Sequence, residues 1–185
     1  VLVTPSVYGM DNERQLDALV EMKGAWRGVA VVATDVAEAE LDRLHRAGFR
    51  GVRVNLFAKS GLVLDDLEAI GQLCGARKIW LHVDGAHGAS ALLSPTHRFR
   101  VKGIERARSI AWDPHKMMLM PLSASVVLVR HERDLAAAFT QRAPDLFHGG
   151  GARTWDQGVR SFQCSRRLDA IKVWVALQRY GADGL

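Results

Sequence analysis

Short apolar runs alternate with helix-like stretches along the whole chain. Val1-Leu2-Val3-Thr4, Gly28 to Ala33, Gly51 to Leu56, Ile79 to Val83, Ser109 to Trp112 and Ala124 to Val129 are largely apolar runs of strand length. Between them, Asn12 to Met22 and Leu64 to Ala76 carry the spacing of amphipathic helices, with Asp65 and Asp66 in the first turn of the second, where the helix dipole favours anions. Asp35 is the expected N-cap of another helix that ends near Gly48, and further helices are expected at 132–141 and 165–180. Strands that are largely apolar, rather than alternating, imply sheets covered on both faces. That pattern predicts an α/β fold with a mostly parallel sheet. Ligands in such sheets bind outside the carboxyl ends of the strands, which directs attention to the loops after Val83 and Trp112. Looser composition marks loops at Ala58-Lys59-Ser60-Gly61 and His148-Gly149-Gly150-Gly151-Ala152.

Composition narrows the function classes. The chain has 185 residues, 48% hydrophobic and 24% charged, an ordinary balance for a globular protein. Its net charge of +5 comes from basic residues interspersed with acidic ones, with no basic run interleaved with aromatics, so no nucleic-acid partner is expected. A phosphate-bearing cofactor suits a locally positive site equally well. The two cysteines, Cys74 and Cys164, have no CxxC spacing and read as thiols of a reducing compartment. No apolar run approaches the ~20 residues of a membrane span. With no leader visible before Val1, a cytoplasmic location is expected, and the lack of an initiator Met suggests a fragment.

Two segments carry chemistry. In Leu81-His82-Val83-Asp84-Gly85-Ala86-His87-Gly88 a strand ends in a carboxylate followed by small residues; such an Asp is expected to leave water on folding and to need a cationic partner. In Trp112-Asp113-Pro114-His115-Lys116-Met117-Met118 a strand end delivers a lysine into apolar company, which would lower its pKa and free its amine for a Schiff base. Pyridoxal chemistry needs this pairing: an amine to carry the aldehyde, and a carboxylate to keep the pyridine nitrogen protonated. Two plainer readings stand beside it. Asp84 can be a helix N-cap with Lys116 on the surface, or His82, Asp84 and His87 can ligate a metal, although no fourth ligand is evident.

The wider wording resembles the group II pyridoxal-phosphate-dependent amino-acid decarboxylases over residues 62–185. The resemblance rests on His82 to Gly88 and on Ser109-Ile110-Ala111-Trp112-Asp113-Pro114-His115-Lys116, with Asp84 and Lys116 32 positions apart. It is supported by Asp65-Asp66-Leu67-Glu68-Ala69-Ile70 and by Gln163-Cys164-Ser165-Arg166-Arg167-Leu168-Asp169-Ala170, continuing into Lys172-Val173-Trp174. It implies pyridoxal 5'-phosphate as cofactor and the large-domain fold of the fold-type I pyridoxal enzymes. It also implies a homodimer for the complete family and an amino acid as substrate. Lys116 would bear the cofactor, Asp84 would face the pyridine nitrogen and Ala86 would pack against the ring. His115 would lie near the phosphate and Ser109 would be a hydrogen-bonding neighbour of the site. His87 departs from the aromatic residue that many members carry at that position. The family's phosphate-holding turn and ring-stacking residue precede the Asp-bearing strand, and nothing in residues 1–60 looks like them; its small domain would follow Leu185.

Residues 1–58 resemble a different family, the amidohydrolase-related proteins of dicarboxylate-lactonase type. The matching blocks are Thr4-Pro5-Ser6-Val7-Tyr8-Gly9-Met10-Asp11-Asn12, Arg27 to Val32, Ala39-Glu40-Leu41 and Gly51-Val52-Arg53-Val54-Asn55-Leu56. By that resemblance the segment is a βαβαβ piece of a (β/α)₈ barrel, and Tyr8, Asn12, Arg53 and Asn55 would face an acidic substrate. The chain thus reads as chimeric and truncated, with an amidohydrolase-like segment at 1–60 and a partial pyridoxal-phosphate-binding domain at 61–185. The expected function is amino-acid decarboxylation through a Lys116 Schiff base. Lactonase-type hydrolysis and a non-catalytic folded fragment are the alternatives.

Overall fold

A computed structural model of the protein describes residues 1–33, 35–53, 66–139, 158–163, 166–181 and 184. The chain divides into two compact units, Val1–Leu64 and Asp65–Leu185. Asn55, Cys164 and the two loops at 58–61 and 148–152 lie outside the described residues.

In the first unit, β1 (Leu2–Val3), β2 (Gly28–Val31) and β3 (Phe49–Arg53) form a parallel sheet in the order β1-β2-β3. The connecting helices are α1 (Glu13–Glu21) and α2 (Glu38–Ala47). Leu19, Ala30, Leu44 and Phe49 are buried together between helices and sheet. Helix α2 ends at Gly48, whose φ of 109° places it in the left-handed region that a glycine enters without strain. The expected cap at Asp35 is corrected: α2 starts at Glu38 after an extended Ala37, and no side chain caps it. Glu38 and Glu40 in its first turn meet the dipole instead.

The second unit begins with α3 (Asp66–Ala76). Its sheet is β4 (His82–Asp84), β5 (Ser109–Trp112) and β6 (Val126–Val129), followed by α4 (Glu132–Phe139) and α5 (Ala170–Tyr180). Strands β4 and β5 pair in parallel; β5 and β6 pair antiparallel. The connection from β4 to β5 runs through three short 3₁₀ segments, Gly88–Leu93, Arg98–Val101 and Ile104–Arg106. Leu67 of α3 packs with Ala89, Val101 and Ile104 of this connection, and Val83, Ile110 and Trp112 of the sheet lie against them. Gly103 permits the close approach: its φ is 95°, and a Cβ there would stand 2.5 Å from the Glu68 nitrogen.

One expectation about the sheet is revised. Among the described residues, strand β4 lies at the edge of its sheet, with residues 82 and 84 exposed and Val83 half-buried. Asp84 therefore does not leave water. A strand with one neighbour, covered on one face, exposes every second side chain.

Candidate functional site

Parallel pairing decides what meets what. The register sets His82 beside Ser109, Val83 beside Ile110 and Asp84 beside Ala111. The chain leaves β4 after Asp84 and leaves β5 after Trp112 at the same edge of the sheet, and the two exits are stitched together. The Asp113 N–H donates to the Ala86 carbonyl at 3.0 Å. The Ala86 N–H donates to Asp84 Oδ1 at 3.2 Å, so one carboxylate oxygen closes its own turn while the group stays exposed. Gly85 is buried in this turn. A Cβ on it would stand 2.7 Å from Ala89 Cβ and 3.2 Å from the Ala111 carbonyl oxygen.

Lys116 closes the turn after β5, its N–H donating to the Asp113 carbonyl at 2.9 Å. Its ammonium donates to Asp113 Oδ2, also at 2.9 Å, and its side chain is 43% exposed. The apolar residues that follow Lys116 in sequence predict a lowered pKa. Instead the Lys116 pKa is raised, first by the hydrogen bond to Asp113 and further by the charges of Asp113 and Asp84. The apolar neighbours do not enclose the amine, since Met117 is 44% exposed and Leu119 88%. The partner carboxyl of Asp113 is held below the usual carboxylate range, first by Lys116 and also by a hydrogen bond from Ser125.

His115 is half-buried beside Lys116. Its Nδ1 lies 2.8 Å from the Ala124 carbonyl oxygen and 3.2 Å from the Ala124 nitrogen. Protonated at Nδ1, the ring donates to the carbonyl; unprotonated there, it accepts from the N–H. Either way the backbone before β6 fixes the ring. That backbone is itself held by α5: Lys172 Nζ donates to the Leu122 and Ser123 carbonyls at 3.3 and 3.0 Å and pairs with Asp169 at 2.8 Å.

Asp84, Ala86, His115 and Lys116 thus come to one edge. His87 is exposed and precedes the Gly88–Leu93 turn, whose first N–H groups it does not cap. Ser109 does not join them. It starts β5, at the opposite end from Lys116, and its hydroxyl is engaged by Trp80 Nε1 at 2.9 Å and His82 Nδ1 at 2.8 Å. The same placement separates His82 from the Asp84 edge, and among the described residues no group of three His, Cys, Asp or Glu is arranged to hold a metal ion. Two open clefts, of about 400 and 320 Å³, lie by Arg130, again toward the start of β5. The ion pair of Asp113 with Lys116 had a readable signal in their i, i+3 spacing across a Pro turn. The contact of Ser125 has no sequence signal, because it depends on how β6 returns.

In the first unit, Asn12 is buried and spends all four hydrogen-bonding positions on the fold. Its Oδ1 accepts from the Thr4 hydroxyl and the Val31 N–H; its Nδ2 donates to the Met10 and Val31 carbonyls. Its amide therefore has no spare hydrogen-bonding position to offer a substrate. Arg53 donates to the Thr4 carbonyl at 3.3 Å, and Tyr8 is 45% exposed in a 3₁₀ turn.

The second unit is an α/β domain that delivers a lysine and an aspartate at the carboxyl ends of adjoining parallel strands. Comparison with known proteins gives the family. Residues 58–185 match the pyridoxal-dependent decarboxylase conserved domain, and the chain belongs to that family. It is 40% identical over 124 residues to the acidic amino acid decarboxylase GADL1 of Mus musculus, covering 65% of this chain and 22% of that protein. It is 39% identical over 130 residues to the cysteine sulfinic acid decarboxylase of Rattus norvegicus, covering 65% and 25%. The crystal structure of mouse CSAD superposes with a TM-score of 0.57 at 31% identity, over 94% of this chain and 32% of that one. Tryptophan decarboxylase of Catharanthus roseus, solved with L-tryptophan, shares the fold, with a TM-score of 0.60 at 23% identity over 79% and 30%. The α/β fold with a mostly parallel sheet is thus that of the fold-type I pyridoxal enzymes. The chain spans about a quarter of the length of the curated relatives it matches. No helix among the described residues is long and apolar enough to cross a membrane.

Proposed function

We propose that this chain carries the lysine-bearing part of a pyridoxal-phosphate-dependent decarboxylase acting on an amino acid. The observation that carries the reading is the shared edge of Asp84 and Lys116, in a chain of this family. The donor set suits the cofactor: a primary amine for an aldehyde, an exposed carboxylate for a pyridinium N–H, and an imidazole beside the lysine. When bound, pyridoxal phosphate supplies an electron sink for the charge left on Cα as the carboxyl group departs.

The chain's own residues do the rest. Lys116 Nζ anchors the cofactor. Asp84 holds the proton on the ring nitrogen, and its exposed carboxylate is open to that contact. Ala86 keeps the turn beside Asp84 slim. His115, oriented by Ala124, lends a donor to the phosphate. His87, at the mouth of the same turn, is the remaining cofactor-side candidate. The names of the two relatives at 39–40% identity favour a substrate with an acidic side chain. The same reading includes a homodimer and a reducing, cytoplasmic setting, in keeping with the free thiol of Cys74.

For Val1–Leu64 we propose an amidohydrolase-like segment joined to the decarboxylase part. The support is its sequence blocks, its βαβαβ order, and the start of the family match at residue 58. Hydrolysis is the weaker reading of this segment, since Asn12 is spent internally.

Borohydride reduction of the pure protein with pyridoxal phosphate, followed by peptide mapping, tests the main reading. A single pyridoxyl label on Lys116 is expected. Label spread evenly over Lys59, Lys78, Lys102 and Lys172 would overturn it.

A further inference from the structure

The Asp113–Lys116 pair is a built feature, not a chance surface contact. Asp113 is anchored through its backbone to Ala86, and its side chain is 17% exposed. Lys116 reaches it across one turn of its own chain. Among the described residues, the charges that act on the ammonium are those of Asp113 and Asp84. Asp113 and His115 belong to its own turn, and Asp84 comes from the end of β4. The loop from Met117 to Ser125 carries no titratable side chain, and beyond it Asp169 and Lys172 of α5 are paired with each other.

We propose that Asp113, through this ion pair, is a positioning residue that governs when the Lys116 amine is free to attack an aldehyde. The proposal rests on the reading of Lys116 as the cofactor-bearing lysine. An ammonium has no lone pair, so the proton on Nζ must leave first. The nitrogen lone pair then bonds to the aldehyde carbon as the carbonyl electron pair moves to oxygen; the two protons left on nitrogen pass, through solvent, to that oxygen, which departs as water while C=N forms. Asp113 cannot take the proton for long, because the pairing that holds Lys116 charged also holds the Asp113 carboxyl ionised. The proton goes to solvent, to which Nζ is open. Asp113 is therefore a lock on the amine rather than its base, and the lock opens when the amine is drawn from the carboxylate.

Competitive labelling with trace acetic anhydride across pH, read lysine by lysine on the full chain, measures free amine without the cofactor. Lys102, paired with Glu68, is the internal reference. In D113N, Lys116 labelling near neutral pH should rise about threefold or more over the parent, of the order that an exposed ion pair supplies, with the midpoint of its pH profile moved down. D113E, which keeps the charge, should restore the parent profile. Trapping by pyridoxal phosphate and borohydride should rise in D113N in parallel. A smaller change in Lys116 acetylation, with Lys102 unmoved, overturns the proposal. If D113N loses its fold by circular dichroism, the parent in about 1 M salt, which screens an exposed ion pair, must show the midpoint of the Lys116 profile moved down or the proposal falls. If acetylation responds as expected but pyridoxal phosphate labels Lys116 in neither protein, the lock stands and the cofactor reading fails.

Discussion

Gly85→Ala isolates how much the site depends on the close approach of its two turns. The added Cβ would meet Ala89 Cβ at 2.7 Å and the Ala111 carbonyl oxygen at 3.2 Å. Ordinary carbon–carbon contacts lie at about 3.5–4.0 Å, so the turn must open by roughly 1 Å. Neither neighbour yields easily. Ala111 is the ladder partner of Asp84 in β5, and Ala89 is buried against Leu67, Val101 and Ile104. The overpacking costs about 1–3 kcal/mol. The Asp113 N–H bond to Ala86 lies in the path of the displacement, and losing it adds about 1 kcal/mol. At about 4 °C per kcal/mol for a unit of this size, melting should fall by roughly 10 °C. Pyridoxal phosphate affinity should fall with it, since Asp84 moves away from the Lys116 turn. Gly88→Ala is the control: its Cβ meets nothing within 4 Å, and it should stay within about 0.5 kcal/mol of the parent. Thermal melts by circular dichroism and an absorbance titration with the cofactor measure both effects. Melting temperatures for the two variants within about 2 °C of each other, with equal cofactor affinity, would refute this account of the turn.

Two further outcomes follow from the second unit. Ile104→Ala empties the centre of the cluster under the β4–β5 connection, where the side chain is 2% exposed; chemical denaturation should show a loss of about 2–5 kcal/mol, against about 1 kcal/mol for Ile104→Val. The Asp134 carboxyl is held below its ordinary range, first by the hydrogen bond of Arg108, whose guanidinium also stacks on Trp80. A depressed carboxyl stabilises the fold above its unfolded pKa and loses that contribution as pH falls through the folded value. The melting difference between the parent and Asp134→Asn should therefore be largest near neutrality and shrink as pH falls below the ordinary carboxylate range; a difference independent of pH would contradict the ion pair.

Local pattern determined most of the element order. The strand at Ser109–Trp112 and the glycine stop of α2 at Gly48 follow from apolar runs and backbone freedom that neighbours in sequence supply. So does the delivery of Asp84 and Lys116 to strand ends, because parallel strands send consecutive carboxyl ends to one edge. The connection at 88–106 was not legible, since 3₁₀ turns lack the periodicity of either a helix or a strand. Tertiary structure alone decided what surrounds each group. The apolar residues after Lys116 promised a dry, neutral amine, yet Asp113 folds back on it and holds it charged. Asp84 looked buried, but its strand took an edge. Ser109 lies only seven residues before Lys116, and the length of β5 separates them. Asn12 looked free at a strand end, and its amide is consumed in joining Thr4, Met10 and Val31. In each case the charge state or availability of a side chain depends on partners brought from elsewhere in the chain, and residue order encodes those distances only through the fold.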